Sequence, residues 1–149
     1  MLTRRTEQVA AHKREVCLPG GALDPGESAV DAALRELDEE IGVARSELRV
    51  LGGLTPVFIP VSGFRMEPFV VAAARRPAFR VAAHEVEALI ELPLARLRDR
   101  GIRGERRTQR DGEPVVIPSF EVAGERIWGA TAMVLAELCA LLDEIEPVP

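Results

Sequence analysis

The apolar positions of this chain form two helical stripes separated by short extended runs. Between Ser28 and Gly42, the residues Val30, Ala33, Leu34, Leu37 and Ile41 fall within one arc of roughly 100° at helical periodicity. Residues 29 to 41 are therefore predicted to form an amphipathic helix with that arc against the core. Ser28-x-x-Asp31 supplies a capping-box-like start, with Asp for the usual Glu or Gln, and Gly42 a C-terminal stop. A second helix is predicted from Gly129 to Ile145, carried by Met133, Val134, Leu135, Leu138, Leu141 and Leu142 and closed by Pro147. Strands are predicted at Arg49 to Gly53, Phe69 to Ala74, Val115 to Ile117 and Ser119 to Val122, with a further apolar run at Val16-Cys17-Leu18. This order predicts an α/β sandwich with a mixed sheet between helices. No internal repeat or low-complexity linker interrupts it.

The polar side of the first helix carries the chemistry. Glu36 and Glu40 are i,i+4 neighbours beside the apolar arc, and Glu39 lies about 100° round from Glu40. Like charges at this spacing destabilise a helix by about 0.2–0.5 kcal/mol per pair, and the negative end of the helix dipole adds to the cost. A hard divalent cation, Mg2+ or Mn2+, would offset this, because such ions take oxygen ligands from one or two carboxylates together with waters and phosphates. The alternative is a solvated acidic face paired with Arg35 and nearby arginines. Just upstream, Leu18-Pro19-Gly20-Gly21 makes a paired-glycine turn, and glycines let backbone groups approach a metal or phosphate closely.

Composition narrows the class. The 149 residues, 47% of them apolar, are enough for one domain, taken as residues 1–149. The N-terminus is not signal-like and no apolar run approaches 18 residues, so a soluble, cytoplasmic protein without membrane contact is expected. Cys17 and Cys139 stand in apolar contexts far apart and are expected to be free buried thiols. A net charge of −5 with little aromatic interleaving disfavours nucleic acid as a partner. Residues 96 to 113 run against this balance, with seven arginines to four acids, a local +3. They read as a solvated loop or as an anion clasp built from forked guanidinium groups. Trp128 is expected as a core or interdomain-packing aromatic rather than a base-stacking platform, and Phe58 and Phe64 are weak candidates for stacking.

Written as a pattern, residues 21 to 43 read G-x5-E-x7-R-E-U-x-E-E-x-G-U with U apolar, carried by Gly21, Glu27, Arg35, Glu36, Leu37, Glu39, Glu40, Gly42 and Val43. The chain resembles the Nudix hydrolases at every defined position of that signature. Leu2-Thr3-Arg4-Arg5-Thr6, His12, Pro19-Gly20-Gly21 and Ile127-Trp128-Gly129-Ala130-Thr131-Ala132 resemble the coenzyme A pyrophosphatase branch, as do Glu85-Val86-Glu87 and Pro93-Leu94. Departures from that branch fall at Thr6, Arg14, Glu15 and Leu18.

The resemblance implies a Nudix-like α/β/α sandwich and metal-dependent hydrolysis of a pyrophosphate in coenzyme A or its thioesters. It implies Glu36, Glu40, Glu39 and Gly21 as the Mg2+ or Mn2+ site, and Arg35 as the residue that holds the carboxylates, with Glu27 supporting the loop. Glu39 is the first choice for general base and Glu85 the second. Arg5, His12, Lys13 and Gly20 are implied in substrate contact, and the arginine-rich segment could clasp the 3′-phosphate of coenzyme A. The alternatives are a hydrolase of ADP-ribose or a dinucleotide, and a nucleotide-binding module that does not cleave. Branch members carry a further apolar strand before the Leu-Thr-x-Arg segment. Its apparent absence here predicts a truncated or misassigned start, or a homodimer in which a second copy covers the sheet edge.

Overall fold

The computed structural model describes residues 1–7, 15–60, 62–110 and 112–145. It contains ten strands and three α-helices, organised as two compact units. The first unit comprises Met1–Leu54 with Glu67–Glu91, and the second Thr55–Met66 with Leu92–Pro149.

In the first unit, β1 (Leu2–Arg5) lies between β2 (Val16–Cys17) and β7 (Val86–Ile90), antiparallel to both. Both edges of β1 are thus paired. Leu2 and Thr3 are almost wholly buried, as are Val86 and Val16. β3 (Leu48–Gly53) and β6 (Phe69–Ala73) form a second antiparallel ladder. Helix α1 (Ala29–Ile41) has the predicted limits. Ser28 accepts the Asp31 amide at 3.2 Å, and Gly42 ends the helix at φ 71, donating its N–H to the Asp38 carbonyl at 2.8 Å.

The buried face of α1 differs from the predicted arc. Ala32, Leu34, Glu40 and Ile41 are buried, whereas Val30, Ala33 and Leu37 are half-buried. The inward face is therefore turned toward the Ala32–Glu36–Glu40 line. A carboxylate thus lies inside with Arg5 of β1 and the Gly20 amide beside it, which a helical projection of α1 alone does not show.

The second unit contains the hairpin β4 (Val57–Ile59) and β5 (Phe64–Met66), the short helix α2 (Leu94–Arg98), and a sheet in the order β10-β9-β8. These strands are β8 (Arg103–Arg110), β9 (Glu113–Val122) and β10 (Glu125–Ile127). Helix α3 (Gly129–Ile145) packs on β9 and also contacts β4. Its buried Ala132, Val134, Leu135 and Cys139 form the core of this unit with Phe120, Ile127, Leu97 and Ile102.

Three expectations are corrected. The arginine-rich segment is not a loop: it runs from the end of α2 into β8, which is closed onto β9 by a turn in which Gly112 takes φ 84. β9 is continuous through Pro118, where two separate strands were expected. Proline is tolerated there because β10 pairs only with Phe120 to Val122, so the missing donor of Pro118 can face the open side. Every ladder among the described residues is antiparallel and lies in one of four small sheets, in place of one mixed sheet. Among these residues no helix is long and apolar enough to cross a membrane.

Candidate active site

The first unit brings most of the predicted site residues together around the C-terminal half of α1. Glu40 is 3% exposed, the only buried carboxylate among the described residues. Its Oε2 is buried without a hydrogen-bond partner, and its Oε1 lies 3.9 Å from Nη1 of Arg5 on β1. Burial pushes its pKa from 4.5 up to about 7, with the charges of Glu36 and Glu85 adding to the rise; Arg5 and the Gly20 N–H oppose it. Gly20 takes φ 150, a conformation that favours glycine, which lets its amide face Glu40.

Glu36, one helical turn earlier, is pressed against the next glycine: a Cβ on Gly21 would collide with the Glu36 carboxylate. Glycine is required here by close approach. The outer side of the cluster is organised by Arg35, which grips both oxygens of Glu27 at 3.1 Å. Its Nη1 donates to Glu36 at 2.8 Å and to Glu39 at 3.1 Å, and its Nη2 to the Ala22 carbonyl at 3.0 Å. These carboxylates raise the Arg35 pKa further, while Arg35 and the Asp24 amide hold Glu27 below the usual carboxylate range. Arg35 therefore ties the glycine loop, through Glu27 and Ala22, to the acidic face of α1. Glu39 points to this outer side, with its side chain 58% exposed.

The far wall of the cluster is the segment after Arg80. The Arg80 and Ala82 amides each donate at 2.9 Å to the Ile41 and Glu40 carbonyls, satisfying acceptors that the helix end leaves open. The Thr6 N–H donates to the Glu85 carbonyl and the Thr6 hydroxyl to the His84 carbonyl, both at 2.9 Å. These bonds place Glu85 where its charge is felt by Glu40, and His84 Nε2 lies 3.0 Å from Glu85 Oε1. Thr6 appears in the sequence only as a departure from the branch motif; its role as the pin of the Glu85 turn needs the fold to be seen. Arg5, expected at the substrate, is the one cation among the described residues that forms an ion pair with Glu40. His12 and Lys13 lie outside the described residues.

This arrangement suits a hard cation. An orphaned buried carboxylate oxygen, a second carboxylate under a glycine and a mutually repelling trio of acids all become favourable when a divalent ion takes oxygen ligands. Among the described residues no three acidic, histidine or cysteine side chains converge into a closed cage. Mg2+ does not need one, since it commonly keeps waters and takes only one or two carboxylates.

The NUDIX domain family model matches residues 1–108, which include the whole of this cluster. The chain belongs to the Nudix family. It is 29% identical over 161 residues to Nudix hydrolase 3 of Caenorhabditis elegans, a match covering 96% of this chain and 66% of that protein. It is 33% identical over 148 residues to the uncharacterized Nudix hydrolase NudL of Escherichia coli K12, covering 99% of this chain and 76% of the relative. The NudL of Pectobacterium atrosepticum is also 33% identical, over 149 residues and 75% of its length. The chain thus spans about two thirds to three quarters of these relatives.

Away from the Nudix cluster, other expectations are resolved within the second unit. Trp128 is not a core residue: it is 39% exposed, and the Arg106 guanidinium lies 4.2 Å from its ring centroid. Phe58 and Phe64 are both exposed on the β4–β5 hairpin. Cys139 is a buried free thiol, as expected, whereas Cys17, in the first unit, is a free thiol that is only half-buried.

Proposed function

We propose that this Nudix chain hydrolyses the pyrophosphate bond of coenzyme A or its thioesters, giving adenosine 3′,5′-bisphosphate and phosphopantetheine or its acylated form. The observation that carries the hydrolytic reading is the buried, unpartnered Glu40 oxygen beside a Glu36 carboxylate seated under Gly21. Glu36 and Glu40 would hold Mg2+ or Mn2+, with Glu39 and the Gly21 backbone nearby. When bound, such an ion stabilises charge developing on phosphoryl oxygens and activates water.

The chain's own residues do the rest. Water adds to one phosphorus, the bridging P–O bond breaks, and a carboxylate accepts the proton lost by the water. We assign that carboxylate to Glu85 in preference to Glu39. Glu85 is held beside Glu40 by the Thr6 bonds, whereas Glu39 is spent on Arg35. Arg35 fixes Glu36 and the glycine loop, and Arg5 limits the repulsion at Glu40. Coenzyme A rests on the branch motif, in which Arg5 and Gly20 join His12 and Lys13 as substrate contacts.

The test is mass spectrometry of products from coenzyme A, acetyl-coenzyme A and ADP-ribose, each with Mg2+ or Mn2+ and with a chelator control. Metal-dependent phosphopantetheine release with little ADP-ribose cleavage is expected. Cleavage of ADP-ribose alone would reject the coenzyme A assignment, and absence of turnover in every tube would reject hydrolysis by this chain.

A further inference from the structure

The sheet of the second unit carries a basic cleft, built on the arginine-rich segment, that contains none of the residues of the acidic cluster. Antiparallel register sets Gly104 opposite Ser119 on the β8–β9 ladder and Arg126 opposite Glu121 on the β9–β10 ladder. A cleft of about 370 Å³ opens over these residues, and Arg103, Arg106 and Arg107 also line it. With Glu105 and Glu121 as its acids against four arginines, the lining carries a balance of +2.

Three details distinguish this cleft from a solvated arginine strand. Ser119 is only 6% exposed and lines the cleft. Its hydroxyl faces Gly104, where an added Cβ would stand 3.0 Å from Ser119 Oγ, so the glycine keeps the space over it open. Arg106 is held over Trp128, which orders its guanidinium on the cleft side. Arg126 donates its Nε to Glu121 at 2.6 Å, leaving its terminal amino groups for a ligand.

We propose that this cleft binds the terminal phosphate of a small phosphomonoester, with the Ser119 hydroxyl and the Arg106 and Arg126 guanidinium groups as donors. A phosphomonoester brings close to two negative charges and three strong acceptor oxygens, which match forked guanidinium donors and a hydroxyl donor. The site lies wholly within the second unit and does not depend on the hydrolase assignment.

Trp128 is the only tryptophan in the chain and touches Arg106, so its emission reports occupancy directly. The full chain is titrated in chelator with glycerol 3-phosphate, inorganic phosphate, glycerol, and chloride at matched ionic strength. A saturable change with glycerol 3-phosphate, and none with glycerol or chloride, is expected. Ser119→Ala and Arg126→Gln should each weaken binding by about tenfold with unchanged circular dichroism. Glu40→Gln should leave it unaltered, which separates failure of this site from failure of the hydrolase reading. The proposal is overturned if chloride reproduces the change, if only inorganic phosphate binds, if no titration saturates, or if both cleft variants bind as tightly as wild type.

Discussion

Replacing Glu40 with Gln should stabilise the metal-free protein while removing its activity. The buried Glu40 carboxyl binds its proton with a pKa of about 7 in the fold, against 4.5 in an unfolded chain. Between these values the folded state holds more proton than the unfolded state, so stability falls as pH rises through the window and levels off above it. At ~1.4 kcal/mol per pH unit, the penalty in alkaline solution is ~3 kcal/mol. Glutamine keeps the shape of the protonated side chain and carries no charge, so it escapes that penalty. Urea unfolding in chelator should show the two proteins close at about pH 4.5 and the variant more stable by ~3 kcal/mol at about pH 8. Taking the difference between the two curves cancels the pH dependence of groups that do not interact with Glu40. Parallel curves, with no growing gap toward alkaline pH, would refute the claim that Glu40 is buried as an uncompensated charge.

Other perturbations address the rest of the cluster. In Gly21→Ala the new methyl must push the Glu36 carboxylate aside, and because that carboxylate ends a flexible side chain the fold should survive. Turnover at fixed metal should fall sharply while the thermal midpoint moves little. Glu85→Gln should lower kcat by roughly 10²–10⁴-fold if it accepts the proton, whereas Glu39→Gln should cost far less; the reverse order would return the base to Glu39. Thr6→Val removes the hydroxyl bond to the His84 carbonyl. It should cost ~1 kcal/mol of stability and lower kcat, with Thr6→Ser restoring both. A Thr6→Ser variant as impaired as the valine would contradict the pinning role.

Local signals were legible where they are self-contained. The Ser28 cap, the Gly42 stop and the apolar spacing set the limits of α1, and the leucine-rich run set those of α3, because both depend on residues a few positions apart. β3 and β6 were found to within one residue for the same reason. β8 was hidden because its arginines show no apolar alternation. It is a strand because β9 and the Gly112 turn offer it a ladder. The candidate cluster was legible as a set of residue types, but its internal division was not. Glu39 and Glu40 are adjacent in sequence, yet Arg35 draws one outward while Arg5, Gly20 and the Ala82 amide enclose the other. Those contacts come from distant segments, and so does the placing of Glu85 by Thr6.

The most direct test of the proposed metal site is Mn2+ binding followed by water-proton relaxation enhancement on wild type, Glu36→Gln and Glu40→Gln. Enhancement that saturates in the wild type and collapses in both variants, each still folded, is the predicted result. Wild-type Mn2+ affinity in Glu40→Gln would contradict the assignment of the buried carboxylate as a ligand and, with it, the proposed hydrolytic site.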